Sequence, residues 1–183
     1  QFSVKECMLD AVGKFPTELA KRGLSVNCDG VDTSIMITAN RNYLQQAFEL
    51  LLRERIRFEG GNSNIRIEAK SVPATEETPE HIRLGISDPG LTPDAKDLAH
   101  LFDPFRINPA RPSEMGVHLL GAFFLIYHHG GILDDATSQE SGLSFTISLP
   151  TDSNNPLEPQ SEKDFLEKVF QLERLWEYHL LSD

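Results

Sequence analysis

Cysteine is scarce: Cys7 and Cys28 are the 2 in the chain, too few for a disulfide framework and without metal-ligand spacing. A reducing cytoplasm is therefore the expected setting. Long apolar runs are missing as well, and no stretch reaches the ~20 residues a membrane-spanning helix requires. The opening Gln1-Phe2-Ser3-Val4-Lys5-Glu6 lacks the basic flank and apolar stretch of a secretory signal. Basic residues are the third shortage. The 17 Lys and Arg face 28 Asp and Glu, a net charge of −11. Nucleic acid and anionic membrane surfaces need a basic face, so neither is an expected partner. A nucleotide's phosphates would have to find local positive charge or a metal against this background. What remains is ordinary: 39% hydrophobic and 25% charged residues in 183 suit one globular domain with a full core and an appendage.

Periodicity predicts the elements. Val4, Met8, Leu9, Val12, Phe15 and Leu19 are spaced for one buried face of a helix over 4–21, which Pro16 should kink or break. Residues 24–28 and 34–38 alternate apolar and polar around Asp29-Gly30, as a hairpin would. A long helix is expected over 40–58, with Leu44, Ala47, Phe48, Leu51, Leu52 and Ile56 as its apolar stripe and Gly60-Gly61 ending it. Ile65, Ile67 and Ala69, then Ile82, Leu84 and Ile86, mark two antiparallel strands joined by a polar stretch. A short helix leads to Phe102, a proline-bearing loop occupies 106–114, and 116–128 is an almost wholly apolar, buried helix. Two strands close the unit at Pro150. The expected fold is α+β, a two-layer sandwich of a mixed, mostly antiparallel sheet with helices on one face. The expected division is a domain over 1–150, a linker over 151–160 with Pro156 and Pro159, and an amphipathic C-terminal helix over 161–183. Ser161 is placed to cap that helix, with Asp164 three residues on.

Chemistry concentrates between Asp88 and Pro150. Asp88-Pro89-Gly90 ends a strand in a turn that allows close backbone approach to a ligand. Leu101-Phe102-Asp103-Pro104-Phe105 follows, then Gly116 at the start of the apolar helix, then His129-Gly130-Gly131 and the closing strand from Gly142. In order and spacing these resemble the ATP-binding domain of sensor histidine kinases, in the superfamily that also holds DNA gyrase, mismatch-repair MutL and a heat-shock chaperone. The resemblance covers nearly everything up to Pro150. The family's long helix reads L-x-Q-v-l-x-N-L-l-x-N-A-x-K-F; here Leu44, Gln46, Leu51, Leu52 and Phe58 keep the frame and Arg57 takes the basic position.

The resemblance implies ATP and magnesium as cofactors and Asp88, Gly90, Gly116, Arg57 and Glu54 as their site. Asp88 would accept from the adenine amino group, and Glu54 stands where an asparagine would hold the metal. A carboxylate can ligate magnesium, but the ordinary alternative, and the one preferred, is a surface Glu54 paired with Arg53, Arg55 and Arg57. Departures from the pattern are several. Thr92 replaces the second glycine of D-x-G-x-G. In the second glycine box, whose bare amides cradle phosphates at a helix start, Glu114, Met115, Val117, His118 and Leu119 surround Gly116. His118 could donate to a phosphate or pack at the helix start; Arg106 and Arg111 could neutralise phosphates or lie in a solvated loop. Leu50 occupies the place of the water-activating glutamate of gyrase and MutL, and no histidine sits in a phosphoacceptor setting. A self-contained ATPase is thus not expected.

The reading is a degenerate ATP-binding domain of a sensor kinase or kinase-like two-component signalling protein. It would bind nucleotide weakly or not at all and act through a partner protein or other domains of the same protein. The alternatives are a working module that phosphorylates a histidine on a separate domain and, ranked last, an anti-sigma-type serine kinase. A start on a helix without a phosphoacceptor hairpin leads to the expectation of a fragment. The C-terminal helix is expected to dock on its own domain or, as the sharper option, to form a homodimer seam.

Overall fold

The computed structural model describes residues 1–57, 63–88, 118–135 and 143–168. After β1 (Phe2–Ser3), Ser3 caps α1 (Val4–Val12) by accepting from the Glu6 amide at 3.5 Å. Pro16 does break the helix, sitting in the first turn of α2 (Pro16–Lys21). The buried stripe of α1 is Val4, Cys7, Met8 and Ala11, whereas Leu9 is 49% exposed. The expected stripe was drawn through Phe15, which is buried but lies beyond the break and so belongs to a different helical phase.

The expected hairpin over 24–38 does not form. β2 (Ser25–Gly30) runs parallel to β4, and β3 (Met36–Ile37) pairs antiparallel with β1. Between them Val31 and Ile35 are both buried, and the Asp32 carboxylate accepts from the Ser34 amide at 2.8 Å. A loop anchored twice in the core carries the chain away from the sheet, which a two-residue Asp-Gly turn could not do.

α3 (Arg41–Arg57) starts where the Asn40 side chain accepts from the Tyr43 amide at 3.3 Å, and its stripe from Leu44 to Ile56 is buried as expected. β4 (Asn64–Val72) and β5 (His81–Asp88) are antiparallel neighbours. α4 (His118–Tyr127), β6 (Ile132–Asp135) and β7 (Leu143–Pro150) follow. The sheet order is β2-β4-β5-β7-β6, parallel between β2 and β4 alone. Its inner face presents Ile65, Ile67, Ile82, Leu84, Ile86, Phe145, Ile147 and Leu149, all buried with α1, α3 and α4 in one core. Each such side chain contributes about 1.5–3 kcal/mol of burial free energy. On the other face Glu68, Lys70 and Arg83 are exposed around a hollow of about 170 Å³ at Gly85. The architecture is the expected two-layer sandwich.

The His-Gly-Gly turn joins α4 to β6. Gly130 has φ 75 and donates to the Tyr127 carbonyl at 2.8 Å; a Cβ on Gly131 would meet the Ser148 carbonyl at 2.6 Å. His129 is buried, its Nδ1 2.6 Å from the Leu125 carbonyl, so its role is structural. Residues after β7 return to this turn. Leu157 donates to the Gly130 carbonyl at 2.9 Å, and Pro156 lies against Gly130. α5, over 162–168, is capped by Ser161, which accepts from the Asp164 amide at 3.0 Å. Its Phe165 ring packs on α4, 5.1 Å from Tyr127, 5.7 Å from Phe124 and 6.1 Å from Phe123 between centroids. The Tyr127 hydroxyl donates to Asp164 at 2.7 Å. The rest of the expected C-terminal helix, Trp176 included, lies outside the described residues.

If this contact holds α5 on the domain, Phe165→Ala lowers stability by about 1–2 kcal/mol, the worth of a half-buried aromatic and its ring contacts. Urea unfolding followed by circular dichroism measures it; an unchanged midpoint would show that α5 is not part of the folding unit.

Candidate functional site

Asp88 closes the inward-facing series Ile82, Leu84, Ile86 of β5, so alternation puts its carboxylate on the core side of the sheet, 1% exposed. Arg55 continues the α3 positions Phe48, Leu51 and Leu52 at helical spacing and is likewise 1% exposed. The two meet. Arg55 Nε donates to Asp88 Oδ2, and Arg55 Nη2 pairs with the same oxygen. Nη2 also donates to Ser63 Oγ at 2.8 Å, and Ser63 Oγ donates to Asp88 Oδ2 at 2.8 Å. Burial, helped by the like charge of Arg22, pulls Arg55 down to about 10, which leaves it charged at neutral pH. Among the described residues Arg55 Nη1 has no hydrogen-bond partner.

Glu54, one residue earlier on α3, is wholly buried, with Oε2 3.2 Å from Nδ1 of His118 at the first position of α4. This corrects the surface reading of Glu54 and Arg55. α3 packs against both α1 and α4, so its buried arc is wider than a single stripe and takes in positions 54 and 55. Arg53 remains outside, its guanidinium 5.4 Å from the Phe15 ring centroid. Beside the Glu54–His118 contact a groove of about 300 Å³ is lined by Gln46, Glu49, Leu50, Arg53 and His118.

Of the expected site residues, Asp88 and Glu54 are thus described in full and engage protein groups. Arg57 ends α3, its side chain outside the described residues. Gly90 and Gly116 lie outside them too, as do Thr92, Arg106, Arg111 and Glu114. Among the described residues no group of three or more His, Cys, Asp or Glu side chains comes together to hold a metal. Each of the two described carboxylates has one oxygen engaged by protein groups. One oxygen of Asp88 is taken by a guanidinium and a hydroxyl, and one oxygen of Glu54 lies 3.2 Å from an imidazole nitrogen. Arg55 and Ser63 escaped the sequence reading. Arg55 was legible twice over: it falls on the helical stripe, and the kinase pattern carries alanine at that position. Ser63, just before β4, gives no comparable signal.

The class follows from this framework. A five-stranded mixed sheet with helices α1, α3 and α4 on one face, and an aspartate ending the strand beside the long helix, is the fold of histidine-kinase ATPase domains. No family model matches the chain. Over 146 residues it is 30% identical to the signal transduction histidine-protein kinase BaeS of Escherichia coli strain K12, covering 76% of this chain and 29% of that protein. Among solved structures, the catalytic domain of histidine kinase ThkA, in a nucleotide-free form, superposes with a TM-score of 0.65 at 18% identity over 84% of this chain and 96% of that one. Acinetobacter baumannii histidine kinase AdeS gives 0.61 at 21% identity over 82% and 66%. The chain is a homologue of histidine-kinase catalytic domains, with their fold, and spans 29% of the length of BaeS. Among the described residues no helix is long and apolar enough to cross a membrane.

Removing one partner of a buried ion pair strands the other charge, while removing both with apolar replacements is close to neutral. Arg55→Met is therefore expected to cost about 3–5 kcal/mol, and the double variant Arg55→Met with Asp88→Leu to recover most of it. Chemical denaturation of the three proteins decides; additive losses would mean that the two side chains are not coupled.

Proposed function

We propose that the chain is a degenerate ATP-binding domain of a sensor histidine kinase or kinase-like two-component signalling protein. In this reading it binds nucleotide weakly or not at all. It acts in the cytoplasm through contacts with a partner protein or with other domains of its own protein. One observation carries the reading: the Asp88 oxygen that accepts from Ser63 is also claimed by the buried Arg55 guanidinium. An adenine amino group would have to compete with a charge-assisted bond already in place.

The sequence adds support around the same ligand. Thr92, Glu114 and His118 stand at glycine positions of the kinase pattern, and Glu54 replaces the metal-holding asparagine with a carboxylate. Each lost charge-assisted hydrogen bond costs ~1.5–3 kcal/mol. Two or three such losses take a micromolar site to millimolar, since each ~1.4 kcal/mol is tenfold. The −11 net charge makes an added triphosphate less welcome still. Docking of Phe165 on α4 favours a C-terminal helix packed on its own domain over a seam to a second copy.

Titration calorimetry with magnesium ATP is expected to show no binding tighter than roughly millimolar. A micromolar dissociation constant would instead support a working module that phosphorylates a histidine supplied by another domain.

A further inference from the structure

The inference rests on the reading just given and concerns its cause. The geometry points to Arg55 as a built-in occupant of the amino-purine subsite at Asp88, plugging it with one side chain.

Among the described residues, the strand and the hydroxyl that hold Asp88 are in regular positions. β5 keeps its pairing with β7 through to Asp88 opposite Leu143, so the aspartate sits at the end of an undistorted strand. Ser63 holds the same carboxylate oxygen at 2.8 Å from the β4 side. What fills the space is a guanidinium, a planar group with N–H donors in its plane. The amino edge of a 6-aminopurine offers the same kind of flat N–H donor to a carboxylate. Arg55 therefore satisfies Asp88 with the chemistry a ligand would have brought.

The plug is not an optimised structural ion pair. Nη1 of Arg55 is buried without a hydrogen-bond partner among the described residues, a cost the protein carries. Arg22 adds a like charge nearby. Buried pairs with such shortcomings are commonly no more stabilising than the apolar residues that could replace them. Truncating residue 55 to alanine removes the guanidinium and the methylenes beneath it, leaving Asp88 and Ser63 around a void. The ligand class that fits is a 6-aminopurine nucleoside. Its phosphates are not required, because the proposed loss of the phosphate cradle is a separate defect.

Calorimetry on wild type and Arg55→Ala with adenosine, purine riboside (the same nucleoside without the amino group) and magnesium ATP tests this. Arg55→Ala is expected to bind adenosine at least about tenfold more tightly than wild type, and about tenfold more tightly than it binds purine riboside, since a site built around an N–H donor rejects the analogue lacking it. Adding Asp88→Ala should abolish the gain. A folded Arg55→Ala that binds adenosine no better than wild type overturns the plug and leaves the degenerate-domain reading standing. Micromolar magnesium ATP binding by wild type overturns both. Magnesium ATP bound far more tightly than adenosine by Arg55→Ala supports the plug and overturns the lost phosphate grip. Should Arg55→Ala be unfolded at the assay temperature, the readout becomes circular dichroism with each nucleoside, because a ligand that binds only the folded state draws it back. Recovery in adenosine and not in purine riboside supports the plug; no recovery in either overturns it.

Discussion

A guanidinium taken out of water must take a counter-charge with it, and in this domain that requirement joins the two layers. Arg55 comes from the helix layer, Asp88 from the end of a central strand and Ser63 from the connection into β4. The three converge where helix α3 finishes and strand β5 ends. Neither partner can turn toward solvent or a ligand without stranding the other at a cost of several kcal/mol. The interaction thus sets what the aspartate can do as well as where it sits.

Helix α3 is the axis on which this depends. It touches α1 on one side and α4 on the other, and three of its charged side chains reach neighbouring elements. Arg41 reaches Asp10 of α1, Glu54 reaches His118 of α4, and Arg55 reaches Asp88 of β5. The adjacent residues 54 and 55 therefore address different layers, one a flanking helix and the other the sheet.

Much of this was readable from the chain alone, for definite reasons. Strands β4 and β5 declare themselves because half-burial forces a period of two, and Ile65, Ile67, Ile82, Leu84 and Ile86 obey it strictly. Helix α3 does so through its unbroken apolar stripe. Failures came where periodicity is ambiguous or long-range pairing decides. The Asp29-Gly30 turn looked like a hairpin because local turn chemistry cannot reveal that β2 will find β4, some 40 residues on, as a parallel partner. Leu9 was put inside because Phe15 beyond the helix break was counted in the same phase. At the candidate site, Asp88 was singled out from motif order, but charge misled at the residue that pairs with it. Arg55 and Glu54 were read as solvent-facing because charged residues usually are, although position 55 completes the stripe of Phe48, Leu51 and Leu52.

The segment after β7 has a mechanical consequence. Pro156 and Leu157 are seated on the Gly130 turn, and Phe165 and Asp164 grip the Tyr127 end of α4. Tension applied at residue 168 would be borne first by α4, not by the edge of the sheet. From there it passes along one helix of ten residues to His118 and across to Glu54. Residue 168 and the neighbour of the buried arginine are in this sense two ends of a single lever.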